Sequence, residues 1–203
     1  MKKTLLATCV LLAGYMSFAQ TKPADSKWAV RLRAIAAVPP ASSYDLSGTD
    51  VTISAAVVPE LDFTYYFTKN LSAELILGTT KHKVKTDDNH GTKTTLGTVW
   101  LLPPTLNLQY HFPLKAFTPY VGAGVNYSIF YGAKDEAAKL AYKNNIGFST
   151  QIGTDIAVTD KWFINIDIKK IFLKTDVTVA NTTTLKDVKV DPFIFGIGVG
   201  TRF

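Results

Sequence analysis

Apolar residues recur at every second position along eight stretches of this chain, the period of a β-strand with two unlike faces. The first is Trp28 to Val38, with Trp28, Val30, Leu32, Ala34, Ala36 and Val38 in one phase. The second lies near Val57 to Phe67 (Val57, Leu61, Phe63, Tyr65, Phe67) and the third near Leu71 to Thr80. The fourth ends Leu106, Leu108, Tyr110, Phe112; the fifth is Tyr120 to Tyr131 through Val121, Ala123, Val125, Tyr127 and Ile129. The sixth carries Ile146, Phe148, Ile152, Ile156 and Val158, and the seventh begins Trp162, Ile164, Ile166, Ile168. In the last, Phe193, Phe195, Ile197, Val199 and Phe203 stand opposite Gly196, Gly198, Gly200 and Arg202. An open apolar strand invites aggregation in water. A strand that closes a barrel in lipid turns the same face to acyl chains. A buried strand of a sandwich is the alternative.

The connections favour the barrel. Thr68-Lys69-Asn70, Pro113 to Ala116 and Thr159-Asp160-Lys161 read as tight turns, whereas Pro39 to Asp50, Lys81 to Thr94, Gly132 to Asn145 and Ala180 to Asp187 read as longer polar loops. Short turns on one side and long loops on the other are the arrangement of an outer-membrane barrel. A sandwich has no reason to alternate in this way. The pattern predicts an all-β, eight-stranded antiparallel up-and-down barrel with both ends on the short-turn, periplasmic side. Asp135 to Lys143 reads as a short helix within the third loop. In the seventh stretch the apolar phase shifts after Ile168 to Ile171, Leu173, Val177 and Val179, which predicts a bulge or departure from the bilayer.

The N-terminus agrees with export. Lys2-Lys3, the apolar run Leu5 to Met16 and the small-x-small Ser17-Phe18-Ala19 predict a secretory leader over residues 1–19 and a barrel over 20–203. That run is too short to span a membrane, and no later run of about 18 apolar residues appears, which excludes a helical membrane protein. Cys9, the single cysteine, lies within the leader, so no disulfide is expected in the barrel. The formal charge of +6 falls to +4 without Lys2 and Lys3. Secretion and the lack of a basic cluster argue against nucleic acid, and the excess lysine suits anionic lipid or surface loops.

With the outward phase fixed, the inward residues sort by height. Arg31, Arg33, Glu60, Asp62, Glu74, Asn107, Gln109, His111, Asp155, Asn165, Asp167, Lys169 and Arg202 fall in the lower half. Both signs are present, so mutual pairing is expected, and eight strands make a barrel narrow enough for side chains to plug. In the upper half Ile35, Val58, Ile76, Leu101, Phe130 and Ile194 form an apolar set. Such a set suits a small hydrophobic ligand or simply packs together. Pro103-Pro104 remove two consecutive ladder donors from the fourth stretch. They mark either a lateral gap in the wall or a bulge that bends it.

Catalytic and metal chemistry find little support. No Gly-x-Ser-x-Gly or His-Glu-x-x-His motif is present, and Gly122, Gly124 and Gly132 lie on a strand that leads into no helix. His82, Asp87, Asp88 and His90 match no known ligand spacing and read as a solvated loop. Neither an enzyme, nor a metal, nor a cofactor is expected.

Leu102-Pro103-Pro104-Thr105-Leu106 and Phe117-Thr118-Pro119-Tyr120-Val121-Gly122-Ala123-Gly124-Val125-Asn126-Tyr127 resemble the signature segments of the OmpW family of outer-membrane proteins. Phe63-Thr64-Tyr65, Asn70-Leu71 with Glu74-Leu75, and Asp191-Pro192 through Phe203 agree in order and spacing. The resemblance implies an eight-stranded barrel whose hydrophobic interior passes small apolar compounds, with lateral exit through the wall. It implies outer-membrane lipid and a small hydrophobic ligand as partners. The terminal Phe203 strand resembles the signal read by the outer-membrane assembly machinery. Lys169 departs from a greasy constriction, and pairing with Asp155 or Asp167, or a place at the bulge of the seventh stretch, would reconcile it. The competing expectation is a filled structural or receptor barrel whose loops bind a partner. The upper lumen discriminates the two.

Overall fold

The computed structural model describes residues 26–38, 44–45, 50–87, 93–135, 140–179 and 183–203. The expected leader, residues 1–19, lies outside them. In chain order the strands are β1 (Trp28–Val38), β2 (Tyr44–Asp45), β3 (Asp50–Ile53), β4 (Ala56–Tyr66), β5 (Leu71–Gly78), β6 (Thr80–Asp87), β7 (Lys93–Leu102) and β8 (Thr105–His111). They continue as β9 (Phe117–Asp135), β10 (Leu140–Tyr142), β11 (Asn145–Ala157), β12 (Trp162–Phe172), β13 (Lys174–Val179), β14 (Thr183–Lys189) and β15 (Phe193–Arg202).

Eight of these form a closed wall. β1 pairs with β4, β4 with β5, β5 with β8, β8 with β9, β9 with β11, β11 with β12 and β12 with β15, all antiparallel. β15 then returns to β1, from Ala29 opposite Arg202 to Val38 opposite Phe193. Closure leaves no free edge strand, which a strand protein needs where water is absent.

The side chains are sorted inside out. Leu32, Phe63, Leu106, Val125, Ile166 and Phe195 are exposed on the outer face, while Arg31, Arg33, Glu74, Asn107 and Asp167 are buried within. In water such a belt would be an aggregation site; in a bilayer it meets its own kind. Aromatic rings edge it at both ends. Trp28 packs on Tyr65 at 4.8 Å and Tyr110 on Phe112 at 5.1 Å near the short turns, and Trp100 stacks on Tyr131 at 6.2 Å toward the other end. The glycines of β15 give the interior its room: a Cβ on Gly200 would overlap the Phe163 ring. The narrow barrel therefore holds large side chains by emptying the strand that faces them.

Three expected features are corrected. The long loops are in large part strand. β6 and β7 form a hairpin from Thr80 opposite Leu101 to Asp87 opposite Lys93, and β13 pairs with β14. Lys81 and Lys83 point out while Thr80, His82 and Val84 are buried, so a polar stretch keeps strand alternation once it has a partner. The short helix over Asp135 to Lys143 is not present in the described part. Asp135 ends β9, Leu140–Tyr142 is a strand on β13, and residues 136–139 lie outside the description. The phase shift after Ile168 is not a bulge at that point. β12 alternates without a break through Phe172, and Lys169, Ile171 and Leu173 all face inward. The shift arises because the interior turns apolar above Lys169. A register irregularity does occur, but higher, between Thr175 and Val177.

Candidate functional site

The lower interior is a connected set of charges. Arg33 on β1 lies 3.0 Å from Glu60, 2.7 Å from Asp62, 3.1 Å from Glu74 and 3.5 Å from Asp167. Arg31, one inward step below, reaches Glu74 at 3.1 Å and Asp155 at 3.2 Å. Arg202 closes on Asp155 at 3.1 Å. Lys169 pairs with Glu60 at 2.9 Å and Asp167 at 2.8 Å, and not with Asp155. Removing any such group from water is costly unless it is paired, and here each charge has a partner of opposite sign.

Neutral side chains join the charges in one hydrogen-bonded network. Gln109 donates to Glu74 at 2.7 Å, and Gln151 donates to Glu74 at 2.9 Å and Asp167 at 2.8 Å. The Tyr120 hydroxyl donates to Asp167 at 2.9 Å, and Asn165 donates to Asp155 at 2.8 Å. Asn107 donates to Gln151 at 2.6 Å, and His111 shares a 2.8 Å bond with Ser72. Gln151, Tyr120 and Ser72 were not singled out from the sequence, although each sits in the inward phase of its strand. Gly153 provides for Tyr120, because a Cβ there would overlap the phenol.

Above this floor lies a cavity of about 50 Å³. Ile35, Ile76, Leu101 and Ile194 line it, as the inward phase anticipates. Val58 and Phe130 do not; they pack half-buried against the cluster of Ile35, Ala37, Ile171, Leu173, Val190 and Ile194. Ile171, Leu173 and Val190 were missed, the first two because the phase shift was read as a bulge. The polar lining comprises Thr80, His82, Thr105 and Ser128, with Glu60 and Lys169 at the base. His82 is therefore buried rather than solvated. Its Nδ1 donates to the Ser54 carbonyl at 2.9 Å, leaving Nε2 to accept from the Thr80 hydroxyl at 2.9 Å. Neither ring nitrogen is left for a metal. Asp88 and His90 lie outside the described residues.

Pro103 and Pro104 separate β7 from β8. β5 pairs with β8 up to Ile76 opposite Thr105, and β6 pairs with β7 from Thr80 opposite Leu101. Between them Leu77, Gly78 and Thr79 face Leu102, Pro103 and Pro104 without a ladder pair among the described residues. The prolines are tied to the other neighbour instead. Tyr127 donates its backbone N–H to the Pro104 carbonyl at 3.0 Å, and the Asn126 amide donates to Pro103 at 3.2 Å. Gly78 and Pro103, on opposite sides of the unpaired stretch, both line the cavity. Thr79 spans its upper end through a 2.7 Å bond to the Tyr131 hydroxyl.

A closed wall with an apolar exterior and an interior of paired charges defines an eight-stranded transmembrane β-barrel. The OmpW family profile matches residues 25–203, and the chain belongs to that family. It is 42% identical over 187 residues to the uncharacterized outer-membrane protein y4mB of Sinorhizobium fredii, covering 88% of this chain and 80% of that one. It is 29% identical to Outer membrane protein W of Vibrio cholerae across 100% of both chains. The crystal structure of the outer membrane protein OprG from Pseudomonas aeruginosa is similar with a TM-score of 0.78, at 25% identity, over 88% of this chain and 96% of that one. The chain is thus a bacterial outer-membrane barrel.

Proposed function

We propose that the barrel assists the passive entry of small hydrophobic molecules, which occupy the upper cavity and leave sideways into the bilayer past Pro103 and Pro104. One observation carries this reading: the cavity abuts the unpaired stretch of wall, with Gly78 and Pro103 lining both. The floor directs the route. Its ion pairs leave no apolar path toward the short turns, so the side is the cheaper exit.

The energetics are those of a passive conduit. Moving an apolar solute from water into the cavity gains about 25 cal/mol per Å² buried. Moving it on into acyl chains is nearly neutral, because the lipid is as apolar as the lining. The resting void is small, about a third of a cavity of roughly 150 Å³ that holds benzene. A ligand larger than a few atoms must displace Leu101 or Ile76 as it enters. We place both chain ends on the short-turn side, in the periplasm. We assign to the Phe203 strand the contact with the assembly machinery, and to the outer face the surrounding lipid.

The test is binding of an apolar fluorescent probe to the refolded barrel in nanodiscs, wild type against Leu101→Lys, with the heat-modifiable band confirming that both are folded. Saturable binding that is lost in the variant supports the pocket. Binding no greater than to empty nanodiscs favours a filled barrel acting through its loops.

A further inference from the structure

The outer face of the β6–β7–β9 extension carries a basic patch that the conduit does not use. Lys81 and Lys83 stand exposed on β6 and Lys134 on β9, with Lys85 half-buried above. Lys83 and Lys134 flank Thr98 in one row across the sheet, and Lys81 lies opposite Trp100 in the row below. The Lys81 ammonium sits 5.6 Å from the centre of the Trp100 ring, which stacks on Tyr131.

Two observations separate this patch from an ordinary solvated face. Trp100 and Tyr131 belong to the ring of aromatic residues that seats a barrel at the headgroup level. The lysines therefore begin where lipid phosphates lie. They are also unspent. Lys143 on the same end approaches Asp176 at 4.0 Å, and Lys170 lies 4.2 Å from the Phe193 ring. Lys83, Lys85 and Lys134 make no ion pair among the described residues. Asp87 and Asp135 lie farther along these strands, away from Trp100 and Tyr131.

We propose that this face binds the bisphosphorylated headgroup of an outer-leaflet glycolipid of the lipid A type. Spacing favours more than one phosphate. Lys81 and Lys83, two residues apart on one strand, are separated by about 7 Å, and Lys134, two strands away from Lys83, by roughly 10 Å. That spread of charge suits two phosphates held on a disaccharide. Lysine engages each as a mobile point charge, and Trp100 offers an apolar seat beside them. Thr79, two residues before Lys81, spans the top of the unpaired stretch, so the bound headgroup stands directly above it.

The measurement is native mass spectrometry of the barrel released from phosphatidylcholine nanodiscs doped with lipid A, and in a second arm with phosphatidylglycerol. Wild type should retain lipid A in preference to phosphatidylglycerol. Lys81→Gln/Lys83→Gln/Lys134→Gln should lower that retention about tenfold or more, given three charges removed at a headgroup surface. Lys83→Gln alone should lower it several-fold. Lys69→Gln/Lys115→Gln/Lys161→Gln, which removes equal charge at the short turns, should leave it unchanged. Equal retention by wild type and the triple variant overturns the proposal. So does equal retention of phosphatidylglycerol, which would mark diffuse attraction and not a headgroup site.

Discussion

Replacing Lys169 by Met removes the ammonium that lies 2.9 Å from Glu60 and 2.8 Å from Asp167. The interior then holds the five carboxylates Glu60, Asp62, Glu74, Asp155 and Asp167 against the three cations Arg31, Arg33 and Arg202. Breaking a buried pair by deleting one partner costs about 3–5 kcal/mol. Arg33 remains 3.0 Å from Glu60 and 3.5 Å from Asp167, so both carboxylates keep a cation and the cost falls near the lower end. A loss of about 3 kcal/mol, roughly a hundredfold in the folded-to-unfolded ratio, is expected. Urea unfolding in lipid vesicles, followed by tryptophan fluorescence, measures it. Lys169→Met/Glu60→Gln removes one charge of each sign and should lose only about 1 kcal/mol, since a pair deleted together leaves nothing unpaired. With Glu60→Gln measured alone, the cycle yields the coupling. Additivity of the two single changes within about 0.5 kcal/mol would refute the reasoning, because it would mean that Lys169 and Glu60 do not act as a unit.

Two further outcomes follow from the geometry. Gly78→Leu is expected to fold normally, since a Cβ there meets only Glu60 at ordinary distances of 3.7–3.8 Å. Its side chain should fill the inner mouth of the gap, and probe affinity should fall at least about tenfold, as about 1.4 kcal/mol of lost contact requires. Phe203→Ala removes the exposed terminal ring. The yield of assembled barrel in cells should drop severalfold while the protein refolded in vitro keeps its stability.

The inward and outward faces of the wall were legible because each stave carries two contrasting phases. Leu32 and Arg31, or Ile166 and Asp167, cannot exchange faces without placing a charge in lipid. The floor residues followed from the same phase, but their pairing did not. Lys169 and Glu60 are 109 positions apart, and only the closure of β15 on β1 decides that they meet. The extensions were hidden for a different reason. Above the belt both faces of a strand may be polar, so Lys81 to Lys85 reads as loop until β7 supplies the partner. Ile171 and Leu173 show the converse. The lumen there is apolar and Lys170 and Lys174 stand on the outer side, so inside and outside exchange character and the phase looks broken while the backbone is continuous.

Solid-state NMR of the barrel in lipid, with isoleucine methyls labelled and a labelled naphthalene added, tests the conduit most directly. Ile35, Ile76, Ile171 and Ile194 line the cavity, whereas Ile152, Ile164, Ile166, Ile168 and Ile197 face the bilayer. The account predicts ligand contacts to the first set, strongest at Ile76 beside the gap, and their loss in Gly78→Leu. Contacts confined to the second set, with the inward methyls unmoved, would contradict it.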